Sequence, residues 1–321
     1  MKRKKDLYKN IYNMNNILSA FNEVCKNTKN KNRVENFKEY KNIYISRVHK
    51  ILLEKSYNVG PYNKFIIYEP KERQIVSQNM QDKIVNHLVA RYILYPALIP
   101  CLLDVNVASR KNMGTSKGIE LQQNFKRKLD INYKNYYILK CDISKFFSNI
   151  NHDILKEKLK KRIKDKDALD IVFKIIDSND MGLYIGLMTN QILAIFYLND
   201  MDHFIKEKLK IKYYVRYQDD FLLFHNSKEY LKYCLSEIEK FLANEKLTLN
   251  KKTRIFKNTN NFLFLGRDIN GKYCRYRRIK RKLNNRYKKY ISNEIKLNSL
   301  VSSYICYKGL CKRNLNINFK R

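Results

Sequence analysis

Apolar residues recur at helical spacing over 7–57, with Leu18, Phe21 and Val24 on one face and Val48, Ile51 and Leu52 on another, which predicts two helices. Gly60-Pro61 breaks the second. Two short strand-like runs, 63–69 and 73–77, flank the turn Pro70-Lys71-Glu72 and predict a hairpin. Ile84, Leu88 and Tyr92 fall in register for a helix over 81–98. The run 136–143 reads as a buried strand ending at Asp142. Helices follow over 152–162 and 166–177, then a turn at 179–182 and a long helix over 189–209. The segment 213–224 predicts two apolar strands that meet at Asp219-Asp220. A helix over 228–244 and strands over 253–257 and 262–269 complete an α+β unit whose small antiparallel sheet carries carboxylates. No internal repeat and no Gly/Ser/Pro linker separates these parts, so the lobes are closely joined.

Charge narrows the function. The chain has 66 Lys and Arg against 30 Asp and Glu in 321 residues, a formal net charge of +36. Such an excess points to a polyanionic partner, bound with release of counterions from phosphates. The last segment, 275–321, is Arg-, Lys- and Tyr-rich and predicts a separate basic helical lobe. There Tyr273, Tyr276, Tyr287, Tyr290 and Tyr304 interleave with Arg275, Arg277, Arg278, Lys280, Arg281 and Lys282, a mix suited to backbone neutralisation with stacking on bases. The 7 cysteines include no Cys-x-x-Cys pair, so free thiols in a reducing cytoplasm are expected and zinc is not. The basic start is followed by no apolar segment of a secretion signal, and no apolar run reaches the roughly 18 residues needed to cross a bilayer. No membrane partner is expected.

Two adjacent acids between apolar strands are costly unless something neutralises them. A hard divalent cation does so, and Mg²⁺ prefers carboxylates together with substrate phosphates. If the strand ending at Asp142 neighbours the one carrying Asp219, the two acids can hold a pair of metals about 4 Å apart. One ion then activates an attacking hydroxyl and the other stabilises a leaving pyrophosphate.

Tyr217-Gln218-Asp219-Asp220 resembles the Tyr-x-Asp-Asp box of reverse transcriptases, and Lys140-Cys141-Asp142-Ile143-Ser144-Lys145-Phe146-Phe147 resembles their first catalytic motif. The resemblance implies a right-hand polymerase fold with fingers, palm and a short helical thumb. It divides the chain into an N-terminal helical extension (1–57), fingers (58–135), a palm (136–272) and a basic thumb (273–321). It makes Asp142, Asp219 and Asp220 the catalytic acids and the metal-binding carboxylates, with Ile143 as a further metal ligand. Asp220 tunes the site rather than binding both ions. Two Mg²⁺ are the implied cofactor, for which Mn²⁺ can substitute. Phe147 stands where the family has its steric gate against the ribose 2′-hydroxyl. Lys71 and Arg73 match the basic residues of the fingers hairpin that hold the incoming triphosphate. Gln191 lies at the nascent pair, and Lys252, or its neighbour Lys251, matches the lysine that protonates pyrophosphate. Arg110, Ile185, Gly186 and Tyr217 fall at template positions, and Leu265-Gly266 at the turn that grips the primer. The length leaves no place for a ribonuclease H or endonuclease unit.

Ile185 before Gly186, with Gln191 at the end of that motif, resembles the reverse transcriptases of diversity-generating retroelements. So do Phe37-Lys38-Glu39-Tyr40, Gly60-Pro61-Tyr62, Tyr68-Glu69-Pro70-Lys71 and Ser302-Ser303-Tyr304. These enzymes copy a template RNA into cDNA, misincorporate opposite adenine, and work with a structured RNA and a small basic accessory protein that is pentameric in the family. The resemblance places the chain in the cytoplasm of a bacterial or phage-infected cell. Asn190, Tyr184 and Asn106-Val107-Ala108-Ser109-Arg110 depart from that group's pattern. A defence-associated bacterial reverse transcriptase acting against phage is the alternative. A non-catalytic RNA-binding protein with a polymerase-like shell and a metal-dependent nuclease are readings from other classes. The first leaves three acids without a purpose, and the second leaves Phe147, Gly186 and Gln191 unexplained.

Overall fold

The computed structural model describes residues 3–67, 72–270 and 276–311. Residues expected as two N-terminal helices form three: α1 (Met14–Asn27), α2 (Lys31–Glu39) and α3 (Lys41–Leu53). Asn13 and Asn30 account for the extra boundary, since each side chain accepts backbone N–H groups of the turn that follows it. The first residues are stitched to the middle of the chain: Lys4 N–H donates to the Arg162 carbonyl, and Asp165 Oδ2 accepts from the Leu7 and Tyr8 N–H groups.

The hairpin pairs β1 (Asn63–Ile67) with β2 (Arg73–Ser77), Ile67 opposite Arg73. Its tip, including Lys71, lies outside the described residues. The helix expected over 81–98 is α4 (Met80–Val89), a π turn over Ala90–Leu94, and α5 (Tyr95–Leu98). Pro96 explains the wider turn, because its ring cannot share the space of the carbonyl four residues back. Contrary to the expectation from the sequence, Met80–Cys101 is long and apolar enough to cross a membrane by composition. In the fold 61% of its most apolar window is buried, and Ile84, Leu88, Ile93 and Leu98 sit fully inside the core. It is a core helix.

An unexpected helix, α6 (Thr115–Asn132), precedes β3 (Tyr137–Asp142). Four short helices follow: α7 (Phe146–Asn149), α8 (His152–Lys160), α9 (Lys166–Asp177) and α10 (Met188–Tyr197). The helix expected over 189–209 is divided: α10 ends at Tyr197, α11 (Asn199–His203) begins after Leu198, and Phe204–Lys208 is a π turn. Next come β4 (Tyr213–Tyr217), β5 (Asp220–His225), α12 (Lys228–Asn244) and β6 (Arg254–Lys257). The strand expected over 262–269 is a minimal hairpin, β7 (Leu263–Phe264) and β8 (Arg267–Asp268), turning at Leu265-Gly266. Both turn residues have positive φ, 49° and 83°, as a tight two-residue turn requires. The basic tail forms α13 (Tyr276–Ile291) and α14 (Leu297–Cys311), packed on each other. Tyr273 and Arg275 lie outside the described residues. Cys25, Cys101, Cys141, Cys234 and Cys306 are free thiols, and Cys274 also falls outside.

The main sheet is antiparallel, in the order β4-β5-β3-β6. Strand alternation splits its side chains between two cores. Leu139, Cys141, Tyr214, Phe221 and Leu223 join the large core, which runs from Leu7 to Leu247 and includes the α12 stripe of Leu231, Cys234, Ile238 and Leu242. Ile138, Val215, Leu222 and Phe224 face a second, smaller core with Leu129 of α6 and Phe264 of β7. The fold is a mixed helix-and-sheet architecture with small antiparallel sheets.

Candidate active site at the end of the central strands

The register brings the sequence-predicted acids together. Asp142, last in β3, stands directly opposite Asp220, first in β5. Asp219 lies in the turn that joins β4 to β5, and Tyr217 pairs with Asp220 across it. The Ile143 N–H donates to the Asp219 carbonyl at 3.2 Å, and the Asp142 carbonyl accepts from the Asn250 N–H at 2.7 Å. The segment after β3, the turn between β4 and β5 and the turn before β6 are thus pinned together at one end of the sheet. By alternation Lys140, Asp142 and Asp220 share the face of the smaller core.

Lys140 lies two residues before Asp142 on the same face of β3. Its ammonium donates to Asp220 Oδ1 at 2.5 Å and lies 5.8 Å from the centre of the Phe264 ring. Burial pushes the Asp220 carboxyl up to about 6; Lys140 opposes the rise, and Asp142 and Asp219 add to it. Asp220 is therefore engaged internally by Lys140. Among the described residues no three His, Cys, Asp or Glu side chains are grouped to enclose an ion by themselves. The donors still fit a hard cation. Asp142, Asp219 and the Ile143 carbonyl would all offer oxygen, and Mg²⁺ commonly takes one or two carboxylates and completes its shell with substrate phosphates.

Arg216 escaped the sequence reading. It alternates onto the large-core side of β4 and is fully buried. Its Nε donates to Asp202 Oδ1 at 2.7 Å and its Nη2 to Oδ2 at 2.5 Å. Tyr214 donates its hydroxyl to the same carboxylate at 2.6 Å. The remaining nitrogen, Nη1, donates to the Gln218 carbonyl at 3.0 Å. Gln218 has φ +57°, so this guanidinium holds a left-handed residue in the turn beside Asp219.

The β1–β2 hairpin reaches the segment before α10 through Ile185-Gly186. Val76 N–H of β2 donates to the Ile185 carbonyl at 2.9 Å. Gly186 has φ +122°, and a Cβ there would lie 2.3 Å from the Val76 carbonyl oxygen. Only glycine fits that approach. Gln191 is exposed on the first turn of α10, which Gly186 leads into. Phe147 is half-buried in α7, its ring edge-on to Phe146 at 5.6 Å, and its carbonyl accepts from the Leu183 N–H at 2.7 Å. Gly182, read only as part of a turn, makes that contact possible: at φ +60° a Cβ would come within 2.3 Å of the Phe147 oxygen.

Leu265-Gly266 reaches the same sheet face through Phe264, and Leu265 presses on α6, where a Cβ on Gly118 would sit 2.7 Å from Leu265 Cδ1. Arg73 is exposed at the start of β2, and Lys252 and Lys251 are exposed in the turn before β6. Arg110 is turned inward instead of toward a template. Its Nη1 donates to the Leu103 and Asn106 carbonyls, and its Nη2 meets Asp104 at 3.1 Å.

The sequence model of the family described as reverse transcriptase (RNA-dependent DNA polymerase) matches residues 64–269. The COX1/OXI3 intron 2 protein of Saccharomyces cerevisiae is 29% identical over 92 residues, 25% of this chain and 11% of that protein. Telomerase from Candida albicans, solved in complex with the TWJ fragment of telomeric RNA, shares the fold with a TM-score of 0.53 at 13% identity, over 87% of this chain and 62% of that one. Apo telomerase from Candida tropicalis, truncated from its C-terminal domain, gives 0.52 at 16% identity, over 69% and 57%. The chain thus spans about a tenth of the curated relative and less than two thirds of these structures.

Proposed function

The chain belongs to the reverse transcriptase (RNA-dependent DNA polymerase) family, and we propose that it synthesises cDNA from a template RNA as a diversity-generating retroelement enzyme. Polymerase chemistry rests on one arrangement: Asp142 opposite Asp220, with Asp219 in the adjoining turn, on the sheet face shared with the Leu265-Gly266 hairpin. Asp142, Asp219 and the Ile143 carbonyl hold divalent ions, Mg²⁺ or Mn²⁺. When bound, such ions lower the pKa of a primer 3′-hydroxyl and neutralise the charge that develops on pyrophosphate. Arg73, with Lys71 of the hairpin tip, clamps the triphosphate, and Lys252 gives a proton to the departing pyrophosphate. Phe147 closes the space a ribose 2′-hydroxyl would need. Gly186, bare of a side chain, lets the nascent pair approach the backbone beside Gln191. Leu265-Gly266 supports the primer end, and α13 and α14 supply the basic thumb. The extension, fingers, palm and thumb follow the bounds 1–57, 58–135, 136–272 and 273–321.

Ile185-Gly186 and Gln191 support the diversity-generating subtype, and with it a structured cognate RNA and a small basic accessory protein as partners. The departures at Tyr184 and Asn190 favour the defence-associated alternative. They share one network, in which the Asn190 amide donates to the Tyr184 carbonyl at 3.0 Å and to Asn179 Oδ1 at 3.1 Å. Primer extension on a defined RNA with dNTPs and Mg²⁺, sequenced at each template base, separates them. Errors concentrated opposite adenine are expected; an even error spectrum would place the chain in the defence-associated group.

The electrostatics make cation binding pH-dependent. Asp220 is raised to about 6, so it is ionised at pH 7.5 and largely protonated at pH 5. Protonation removes a negative charge beside Asp142 and leaves the Lys140 ammonium uncompensated, so both changes repel a cation. Calorimetric Mg²⁺ titration is expected to show affinity falling several-fold between those pH values. Equal affinity at both would remove Asp220 from the site's electrostatics.

A further inference from the structure

The β1–β2 ribbon that carries Arg73 is held at its base by a buried carboxylate outside the Asp142–Asp219–Asp220 group. Asp82, in the first turn of α4, is 3% exposed, and among the described residues no Lys or Arg pairs with it. Three uncharged donors meet it instead. Its Oδ1 accepts from the Tyr57 hydroxyl at 3.0 Å, and its Oδ2 from the Gly60 N–H at 3.2 Å and the Asn79 side-chain amide at 2.7 Å. Asn79 also caps α4, its Oδ1 accepting from the Asp82 N–H at 2.8 Å. Tyr57 and Gly60 precede β1, and Asn79 follows β2. One carboxylate thus ties both ends of the ribbon to the same helix.

The joint is close-fitting. A Cβ on Gly60 would lie 2.5 Å from Asp82 Oδ2, so glycine is what lets this N–H reach the carboxylate. Tyr57 is buried, and its carbonyl accepts from Lys174 Nζ of α9 at 3.0 Å. The Tyr62 and Ser178 hydroxyls are hydrogen-bonded at 2.6 Å. Toward the tip the ribbon is open: Asn63–Ile67, Arg73 and Gln74 are all exposed. Two strands alone make a marginal structure in water, so the direction of the ribbon is set where it joins the fold. From Ser77 to Arg73 is an arm of about 13 Å, so a tilt of about 5° at the base carries Arg73 about 1 Å. A shift of that size is enough to weaken a charge-assisted hydrogen bond to a phosphate.

We infer that Asp82 is a positioning residue for triphosphate binding: through Tyr57, Gly60 and Asn79 it fixes the angle at which the ribbon leaves the fold, and so where the Arg73 guanidinium stands. The pin stands on the hydrogen bonds themselves. Its consequence for the substrate rests on the polymerase reading, in which Arg73 holds the incoming triphosphate.

Steady-state primer extension and amide hydrogen exchange on the full chain test the two parts separately. Asp82→Ala removes all three acceptor contacts. It is expected to raise the KM for dNTP about tenfold, the worth of one charge-assisted hydrogen bond. Its kcat should stay within about threefold of wild type, the signature of lost binding rather than lost chemistry. Asp82→Asn keeps an oxygen for Gly60 and Asn79 and offers its amide to the Tyr57 hydroxyl oxygen, so KM should stay within about threefold of wild type. Amides of 63–67 and 73–77 should exchange several-fold faster in Asp82→Ala, with β3 and β5 unchanged. Arg73→Gln should raise KM less in the Asp82→Ala background than alone, because the two act through one contact. Effects that multiply in the double variant overturn the inference, since Asp82 would then act independently of Arg73. Faster exchange in β3 and β5 together with a fall in kcat also overturns it and makes Asp82 a residue of general stability. Tyr57→Phe, which removes one donor and keeps the carboxylate, decides the matter if Asp82→Ala does not fold: a KM equal to wild type with unchanged ribbon exchange overturns the pin. A wild type that extends no primer overturns the polymerase reading and the substrate consequence with it, while ribbon exchange still decides the pin.

Discussion

Asp219→Asn is expected to lower primer extension by about a thousandfold while leaving the protein folded, because several kcal/mol of charge stabilisation at the reacting phosphate leave with the carboxylate. The substitution is nearly isosteric and keeps an oxygen at the same position. What it removes is the charge. The turn itself is held by backbone contacts that Asn does not disturb: the Ile143 N–H on the Asp219 carbonyl and the Arg216 guanidinium on the Gln218 carbonyl. Single-turnover extension beside a thermal melt checks both halves. A variant retaining a tenth of the wild-type rate would take the catalytic role from Asp219. Unchanged affinity for primed RNA alongside lost extension would separate a polymerase from a protein that only binds RNA.

The β4–β5 hairpin was legible because its signal is local. An apolar run interrupted by two acids leaves few choices but two strands and a turn, and a second apolar strand ending in an acid supplies the partner. Even the shared face of Lys140, Asp142 and Asp220 follows from the two-residue period once β3 and β5 are neighbours. The Lys140–Asp220 contact was missed because the motif drew attention to the acids alone. α6 was missed for a different reason: its buried side is thin, with Leu121, Phe125 and Leu129 at four-residue steps among polar and basic neighbours. Its packing partner, the Leu265 turn, is more than a hundred residues away, and Gly118 gives no local sign that another backbone approaches it. The break at Leu198 and the π turns were hidden by helical periodicity, which continues across them. Arg110 is a case of local contacts that the sequence does not show. A basic residue in a nucleic-acid enzyme invites an outward role, yet the loop's own carbonyls hold it.

Arg216→Leu is expected to cost about 3–5 kcal/mol of stability, the usual result of removing one partner from a buried ion pair. Asp202 would keep the Tyr214 hydroxyl but lose both guanidinium contacts in a site with no exposure to solvent. At roughly 2–4 °C per kcal/mol for a chain approaching this size, Tm should fall by roughly 10 °C. The double variant Arg216→Leu/Asp202→Leu separates stability from function. It removes both charges, and apolar side chains in place of a buried pair commonly restore stability, so most of the lost Tm should return. Extension should not return with it. The Gln218 carbonyl would still lack its donor, and a left-handed residue next to Asp219 would be free to relax. Extension rates at a temperature where all three proteins are folded decide the point. Arg216 positions the carboxylate turn if the double variant is stable and slow; recovery of both stability and rate would make it a packing residue only.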